Sequence, residues 1–138
     1  MAKTASTLIG VVFIIVGIAG FVSHDLMGTH LSMVHNVVHL VSGAAALYFG
    51  TKGTLAQAKA FALIFGIVYA GLGAAGFFAG TPGQPGEGVP GPGDDRMLKV
   101  LPGMLELGTR DHIIHIAIGA LFILAALATR ASLKRAVD

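Results

Sequence analysis

Residues 8–21, LIGVVFIIVGIAGF, decide the fold, because this apolar stretch recurs later in the chain. It aligns without gaps on residues 64–77, IFGIVYAGLGAAGF. The aligned pairs include glycines and aromatic residues: Gly10 and Gly66, Gly17 and Gly73, Gly20 and Gly76, Phe13 and Tyr69. A cleaved signal peptide has no reason to be repeated inside the mature chain. The first run is therefore predicted to be a helix of the folded protein.

The helix that follows each copy is also repeated. Residues 39–44, HLVSGA, align on residues 115–120, HIAIGA, and this pairs His39 with His115. The chain is therefore predicted to be a helical hairpin written twice, with repeat 1 at about 5–50 and repeat 2 at about 56–130. Each unit crosses the membrane twice, so the second copy begins on the same side and the repeat is parallel.

Composition places this repeat in a bilayer. Of the 138 residues, 54% are hydrophobic and 12% are charged, and the mean hydropathy is +0.80. A soluble domain carries about 25% charged residues. Four apolar runs, near 5–22, 31–49, 56–79 and 112–129, reach the roughly 17–25 residues that a spanning helix needs. We predict an all-α membrane protein, a single transmembrane domain over residues 1–138 with four helices in two tandem hairpins.

Charge predicts the orientation of the helices. One side carries basic residues at the N-terminus, in the middle loop and near the C-terminus: Lys3, Lys52, Lys59, Arg130, Lys134 and Arg135. By the positive-inside rule this side is cytoplasmic, and the membrane is predicted to be an inner (plasma) membrane. The other side holds six of the seven acidic residues and, in its loops or the adjoining helix ends, all six histidines. The polar chemistry is therefore predicted on the outer side.

Two segments on the outer side lie between the third and fourth helices. Residues 80–93, GTPGQPGEGVPGPG, belong to a Gly/Pro-rich loop at about 80–95 that is predicted to be flexible and solvated. Residues 97–107 place Leu98, Leu101 and Leu105 on one helical face. That spacing predicts a short helix at the membrane surface, interrupted by Pro102.

Histidines inside a membrane-length run are the main functional feature. In residues 34–40, VHNVVHL, His35 and His39 are one helical turn apart, and His112 and His115 share a face of the fourth helix. Ionisable residues inside a membrane are rare and costly, so they are a functional hypothesis by default. The glycines four residues beyond His39 and His115 put the closest helix approach on the same faces, so these two histidines are predicted to point into the bundle.

The predicted site combines these residues with their neighbours. The candidate metal or cofactor ligands are His35, His39, His112, His115 and Asp111. The supporting residues are Asn36, His30 and Glu106, with His24 assigned to the outer loop. The helix-packing positions are Gly17, Gly20, Gly43, Gly73, Gly76 and Gly119.

Several roles for these histidines remain open. Two imidazole pairs on neighbouring helices are suited to Zn or Cu. Axial ligation of haem or of a chlorophyll-type pigment by His39 or His115 is a second role, and proton or cation handling is a third. In the structural alternative the histidines only hydrogen-bond between helices, in an accessory subunit of a larger membrane complex or in a homo-oligomer.

Other functions find no support in the sequence. There is no cysteine, which excludes thiolate metal sites and disulfides. Nor is there a basic cluster with interleaved aromatic residues, so nucleic acid is not an expected partner. No nucleophile with an acid–base partner emerges, and we therefore predict a non-catalytic protein.

Two motifs resemble a known family. Residues 61–69, FALIFGIVY, with the later Gly73, Gly76 and Phe77, resemble its opening helix, and the His-Asn-x-x-His-Leu element at residues 35–40 resembles the start of the second. The family is the bacterial domain of unknown function 4383, and the resemblance covers most of the chain. It implies a four-helix membrane protein and, because the family has no assigned activity, leaves function open.

Overall fold

The structure is a computed structural model that describes residues 1–23 and 26–129, apart from the side chain of Met27. The predictions that concern His24, Arg130, Lys134 and Arg135 fall outside these residues. The elements are, in order, α1 (Ala2–Val22), a short 3-10 helix (Leu26–Gly28), α2 (Met33–Thr51), α3 (Leu55–Ala79), β1 (Thr81–Gly83), β2 (Asp94–Leu101), β3 (Leu105–Leu107) and α4 (Thr109–Ala128).

Side-chain caps fix where three of the helices begin. The hydroxyl of Ser32 accepts the backbone N–H of His35 at the start of α2. At the start of α3, Thr54 and Gln57 form a reciprocal capping box. At the start of α4 the carboxylate of Asp111 accepts the backbone N–H of Gly108 at 2.9 Å. Each cap satisfies backbone donors that a helix leaves free at its first turn.

The four helices suit a bilayer. Among the described residues, four helices are long and apolar enough to cross a membrane, which confirms that prediction. Large apolar side chains point outward, and Leu8, Ile64 and Leu124 are each more than 60% exposed. Small and polar residues fill the interior instead. This distribution is stable where the surroundings are lipid and would be costly in water.

Glycines allow the helices to pair closely within two seams, α1 against α2 and α3 against α4. A Cβ added at Gly20 would lie 2.0 Å from Oδ1 of Asn36, and one added at Gly76 would lie 2.2 Å from the ring of His112. Further along the seams, a Cβ at Gly43 would lie 2.9 Å from the carbonyl of Gly10. The six glycines predicted for packing all lie in these seams.

Aromatic and small side chains fill the space between the two helix pairs. The buried core consists of Ala2, Ile9, Phe13, Ala58, Ala62, Tyr69, Phe122 and Ala126. At one end of the bundle the backbone N–H of Ala2 donates to the hydroxyl of Thr129 at 2.7 Å, which joins the start of α1 to the end of α4.

The opposite end carries a sheet, so the all-α prediction is wrong in this respect. The three strands are antiparallel in the order β1-β2-β3. The helix predicted over residues 97–107 is also wrong, because β2 and β3 form a hairpin that pairs Lys99 with Glu106. Its turn contains Pro102, which cannot donate a helical hydrogen bond, and Gly103, whose φ of +73° suits glycine.

The Gly/Pro-rich loop is more ordered than predicted. Residues 81–83 form β1, and residues 94–95 already belong to β2. Between them Val89 is 6% exposed, and the N–H of Gly86 donates to Glu106 at 2.8 Å. The prediction of a loop is therefore wrong for residues 81–83 and 94–95, which are strands, whereas residues 84–93 are irregular and, apart from Val89, exposed or half-buried. We call residues 26–32 and 80–108 together the cap, because they cover this end of the bundle.

Candidate functional site

Three histidines meet just beneath the cap. His35 and His39 lie on α2, and His115 lies on α4. The rings of His35 and His39 stack with centroids 4.6 Å apart and planes 19° apart, and the rings of His35 and His115 are 6.0 Å apart. All three side chains are buried. We call them the histidine cluster.

Two aromatic side chains of the core contact the cluster. Phe13 and Tyr69 stack on each other with ring centroids 5.3 Å apart. Phe13 meets His39 edge-on at 5.2 Å, and Tyr69 meets His115 edge-on at 5.2 Å. From the sequence, neither residue was assigned to the site. Their alignment with each other in the repeat was the feature that marked them.

The ring orientation of His35 is fixed by one hydrogen bond. Its Nδ1 lies 2.9 Å from the carbonyl oxygen of His30. A carbonyl only accepts, so the hydrogen is on Nδ1 and Nε2 keeps its lone pair. His35 therefore offers an acceptor or a ligand nitrogen at Nε2.

His39 and His115 lack partners. Neither ring has a hydrogen-bond partner among the described residues, and in both Nδ1 is buried. A neutral imidazole has one N–H to donate and one lone pair. A buried donor left unsatisfied costs about 1–3 kcal/mol. The site therefore has two buried imidazole nitrogens, donor or acceptor according to the tautomer, for which the described residues supply no partner.

His30 and Asp111 form a buried pair beside the cluster. Oδ2 of Asp111 lies 3.0 Å from Nδ1 of His30, and Nε2 of His30 lies 2.9 Å from the carbonyl of Pro92. Both ring nitrogens thus face acceptors, which favours the doubly protonated imidazolium. The hydrogen bond to Asp111 and that to Pro92 outweigh burial and raise the pKa of His30 above its usual value.

Two residues predicted at the site lie outside the cluster. The ring of His112 packs against Gly76 in the α3–α4 seam, and its Nε2–H donates to the carbonyl of Arg96 at 2.7 Å. Asn36 occupies the corresponding place against Gly20 in the α1–α2 seam. Spacing by three residues places His112 and His115 on neighbouring positions of the helix, but one faces the seam and the other faces the opposite hairpin.

Glu106 acts within the cap. It is fully buried and accepts the backbone N–H groups of Gly86 at 2.8 Å and Gly103 at 2.7 Å, with Nζ of Lys99 at 3.6 Å. Burial raises the pKa of Glu106, but these donors outweigh it and leave the pKa below its usual value. Glu106 thus joins the Gly/Pro-rich segment to the β2–β3 turn.

Asp94 joins β2 to the start of α4. Its carboxylate accepts the hydroxyl of Thr109 at 2.6 Å, the N–H of Thr109 at 3.0 Å and the N–H of Arg96 at 2.7 Å. Burial acts to raise the pKa of Asp94, and the donors from Thr109 and Arg96 outweigh it and lower the pKa. Two carboxylates therefore join the cap to the bundle, that of Asp94 to Thr109 and that of Asp111 to His30 and Gly108.

Two clefts flank the cluster. The α1–α4 cleft has a volume of about 320 Å³ and is lined by all three histidines and by mainly apolar side chains, among them Val12, Ile15, Val16, Ile114 and Ile118. The α2–α3 cleft has a volume of about 220 Å³ and is lined by His35 and His115, with Val38, Ser42, Val68, Tyr69 and Leu72. The cluster is therefore reached from both sides of the bundle.

The predicted metal site is not preformed among the described residues. Within residues 1–23 and 26–129, no group of three or more His, Asp or Glu side chains is placed to hold a metal ion. The nearly parallel, stacked rings of His35 and His39 cannot direct in-plane lone pairs to one point. As it stands, the cluster offers an acceptor at Nε2 of His35 and an unpartnered buried Nδ1 on each of His39 and His115.

Comparison with known proteins gives the family. The family described as "Domain of unknown function (DUF4383)" matches residues 3–109, most of the chain. This protein belongs to the DUF4383 family. The matched part of the DUF4383 chain contains α1 to α3 and the sheet, while α4 with His112 and His115 lies almost wholly beyond it. No curated protein and no solved structure matches the chain.

Proposed function

We propose that this DUF4383 protein is a small, non-catalytic integral membrane protein whose histidine cluster binds a ligand. One observation carries the proposal: His39 and His115 are buried, line a cavity and have no hydrogen-bond partner among the described residues. A ligand at their ring nitrogens removes the cost of two unsatisfied buried groups.

The structural alternative fits a different set of residues. It requires histidines that hydrogen-bond between elements, and His30 does so through Asp111. His112 does so through the carbonyl of Arg96. His39 and His115 make no such bond. We therefore assign a structural role to His30, Asp111 and His112, and ligand binding to the cluster. Assembly into a larger complex or a homo-oligomer is compatible with both roles.

The apolar lining favours an organic ligand. A bare Zn or Cu ion would need the rings of the cluster to turn and would need donors from outside the chain. A haem or chlorophyll-type pigment held by one histidine would use the apolar walls, but its macrocycle would require α1 and α4 to separate. We therefore rank an organic ligand smaller than a tetrapyrrole first.

The contacts support two copies of one hairpin related by a pseudo-two-fold axis. Gly20 meets Asn36 as Gly76 meets His112, and Phe13 meets His39 as Tyr69 meets His115. The clefts also correspond through the sequence alignment, with the following paired lining residues: Val12 and Val68, Val16 and Leu72, Ile114 and Val38.

We further propose that the cap lies outside a bacterial inner membrane and that both termini are cytoplasmic. By sequence, six of the nine Lys and Arg residues are assigned to the side of the α2–α3 connection and three, Arg96, Lys99 and Arg110, to the side of the cap, and this excess supports the orientation. Because the chain has no cysteine, single Lys52→Cys and Glu87→Cys variants test it cleanly. In intact cells an impermeant maleimide should label only the variant at residue 87. Labelling at residue 52 alone would reverse the topology.

Co-purification tests the binding proposal. The protein is purified in mild detergent, and its metal content, visible spectrum and extracted small molecules are measured. One component should be present in stoichiometric amount and be lost in the double variant His39→Leu/His115→Leu. The control His112→Asn, which introduces the residue found at the aligned position of repeat 1, should retain it. Equal recovery of every component from the double variant and wild type would contradict the proposal.

A further inference from the structure

We infer that the ligand is a lipid-soluble aromatic molecule with hydroxyl or carbonyl oxygens, of the quinol or quinone class, that enters sideways from the bilayer through the α1–α4 cleft. The inference rests on the proposed binding function of the histidine cluster. It goes further by naming the chemistry of the ligand, its route and the side of the bundle on which it binds.

The hydrogen-bonding groups of the cluster define the head group. Nδ1 of His35 donates to the carbonyl of His30, so Nε2 can only accept from a ligand hydroxyl. His39 and His115 each have a buried Nδ1 without a partner among the described residues, and a ring hydroxyl can pair with that nitrogen in either tautomer. A ring hydroxyl can donate to Nε2 of His35 and can also accept a histidine N–H, whereas a ring carbonyl can only accept; neither group carries a charge. A fully charged head group would find no free counter-ion, because Asp111 is already paired with His30.

The walls of the α1–α4 cleft indicate the chemistry of the rest of the ligand, beyond its head group. Apart from the histidines, Thr29 and Asp111, its lining is apolar. Several lining residues are also exposed at the bundle surface: Val12 is 50%, Ile15 59% and Ile114 38% exposed. The cleft therefore opens between α1 and α4 toward the surface that lipid covers. A molecule dissolved in the bilayer reaches the cluster without crossing water.

The cap closes the other route. Leu31 and Thr29 line the upper part of the cleft and are buried, with exposures of 2% and 7%. Above them His30 is held by Asp111 and by Pro92. Water-soluble molecules from the cap side therefore meet packed side chains. This arrangement selects a lipid-soluble ligand over a soluble one of the same head-group chemistry.

The size of the cleft is suited to one ring and part of a chain. At about 320 Å³ it lies at the lower end of the roughly 300–1,000 Å³ typical of small-molecule sites. The α2–α3 cleft is smaller and is not lined by His39. Its two hydroxyl groups already pair with each other, because the hydroxyl of Tyr69 donates to that of Ser42 at 3.5 Å. The α1–α4 cleft is therefore the site.

The test uses the full chain in lipid nanodiscs with decylubiquinol and decylubiquinone as probes. Bound probe is measured by equilibrium dialysis against empty nanodiscs, and water-soluble hydroquinone without a tail is the comparison ligand. Saturable binding at one site per chain is expected for the tailed probes. Hydroquinone should bind at least about tenfold more weakly, because it partitions poorly into the membrane from which the site is reached.

Matched variants locate the site. Ala19→Phe fills the α1–α4 cleft. Ala75→Phe makes the same change at the aligned position of the second hairpin, where the side chain is exposed to lipid. The first should reduce affinity at least about tenfold, and the second should leave it within about twofold. Equal thermal unfolding midpoints in the two variants show that folding is intact. If both variants lose affinity equally, or if neither loses affinity, the assignment of the site to the α1–α4 cleft is overturned.

The outcomes separate this inference from the proposed function. If neither probe binds saturably, but a metal or pigment co-purifies and is lost in His39→Leu/His115→Leu, the quinol inference is wrong and the binding function stands. If neither probe binds and nothing co-purifies, both are wrong. Saturable probe binding that survives in the double histidine variant also overturns the inference, because the head group then lies elsewhere.

Discussion

Nδ1 of His30 lies 3.0 Å from Oδ2 of Asp111, and this buried pair joins the segment ahead of α2 to the first turn of α4. The same carboxylate oxygen accepts the backbone N–H groups of His30 and Gly108. The pair thus connects the two hairpins directly above the histidine cluster. The backbone carbonyl of His30 also accepts from Nδ1 of His35 and so orients that ring. Packing and site geometry therefore depend on one ion pair.

Replacing Asp111 by asparagine should destabilise the protein strongly. The imidazolium of His30 would remain buried without a counter-ion, and breaking a buried pair in this way costs about 3–5 kcal/mol. The free energy of unfolding, measured by denaturant titration in detergent, should fall by that amount. Asp95→Asn is the control, because Asp95 is exposed and should change stability by less than about 0.5 kcal/mol.

A second variant shows whether the cost comes from the pair itself. His30→Gln/Asp111→Asn removes both charges, so it should recover part of the stability that Asp111→Asn loses. The interaction energy from the double-mutant cycle should exceed about 0.5 kcal/mol, as it does for residues in one network. Additive losses would show that His30 and Asp111 act independently.

Stability should depend on pH through His30. Its pKa is raised in the folded protein, so its contribution is fully present below the unfolded value of about 6.5 and is lost as pH rises through the folded pKa. The charged or titratable groups that act on it are Asp111, Asp94 and His35. The thermal unfolding midpoint of the wild type should fall as pH rises from about 6.5 through the raised pKa of folded His30. The fall should be smaller in His30→Gln, and an identical profile in both would contradict this account.

Glu106 should control the order of the Gly/Pro-rich segment. In Glu106→Gln one carboxylate oxygen becomes an NH₂ donor facing a backbone N–H, so one buried donor loses its acceptor at about 1–3 kcal/mol. Amide exchange at Gly86 and Gly103, followed by mass spectrometry, should accelerate. Glu87→Gln is the control because Glu87 is exposed and adjacent in sequence. Equal exchange in the two variants would contradict the role of Glu106.

The seam glycines should not tolerate a methyl group. In Gly76→Ala the new Cβ would lie 2.2 Å from the ring of His112, which forces a shift. Overpacking of this kind costs about 1–3 kcal/mol. Gly71→Ala lies on the same helix and its Cβ would meet nothing within 4 Å, so it should be neutral or slightly stabilising. Unfolding midpoints of the two variants in the same detergent make the comparison.

The helices were predictable because each depends on local composition. Four apolar runs indicated four helices long and apolar enough to span a membrane, and the resemblance indicated the family; both predictions are confirmed. The sheet was missed because residues 97–107 carry a leucine spacing that also fits a helix. This segment forms strands because β2 pairs with residues 81–83 and because the chain turns at Gly103. The pairing with residues 81–83 is not local in sequence.

The site was only partly predictable for a similar reason. Spacing on α2 correctly placed His35 and His39 together, and the structure brings His115 to them. Spacing alone also grouped His112 with His115. In the structure α3 packs against the face of α4 that carries His112, so the ring of His112 lies in the α3–α4 seam against Gly76. The hydrogen bonds that distinguish paired from unpaired imidazoles depend on tertiary contacts, and these are not encoded in any single stretch.

Imidazole nitrogen NMR tests the central claim most directly. Protein with ¹⁵N-labelled histidine is prepared in lipid with its co-purified ligand and again after extraction of that ligand. The account predicts that the ring nitrogens of His39 and His115, assigned through His39→Leu and His115→Leu, change resonance on extraction while those of His30 stay unchanged. Ring resonances of His39 and His115 that are the same in both preparations would contradict it.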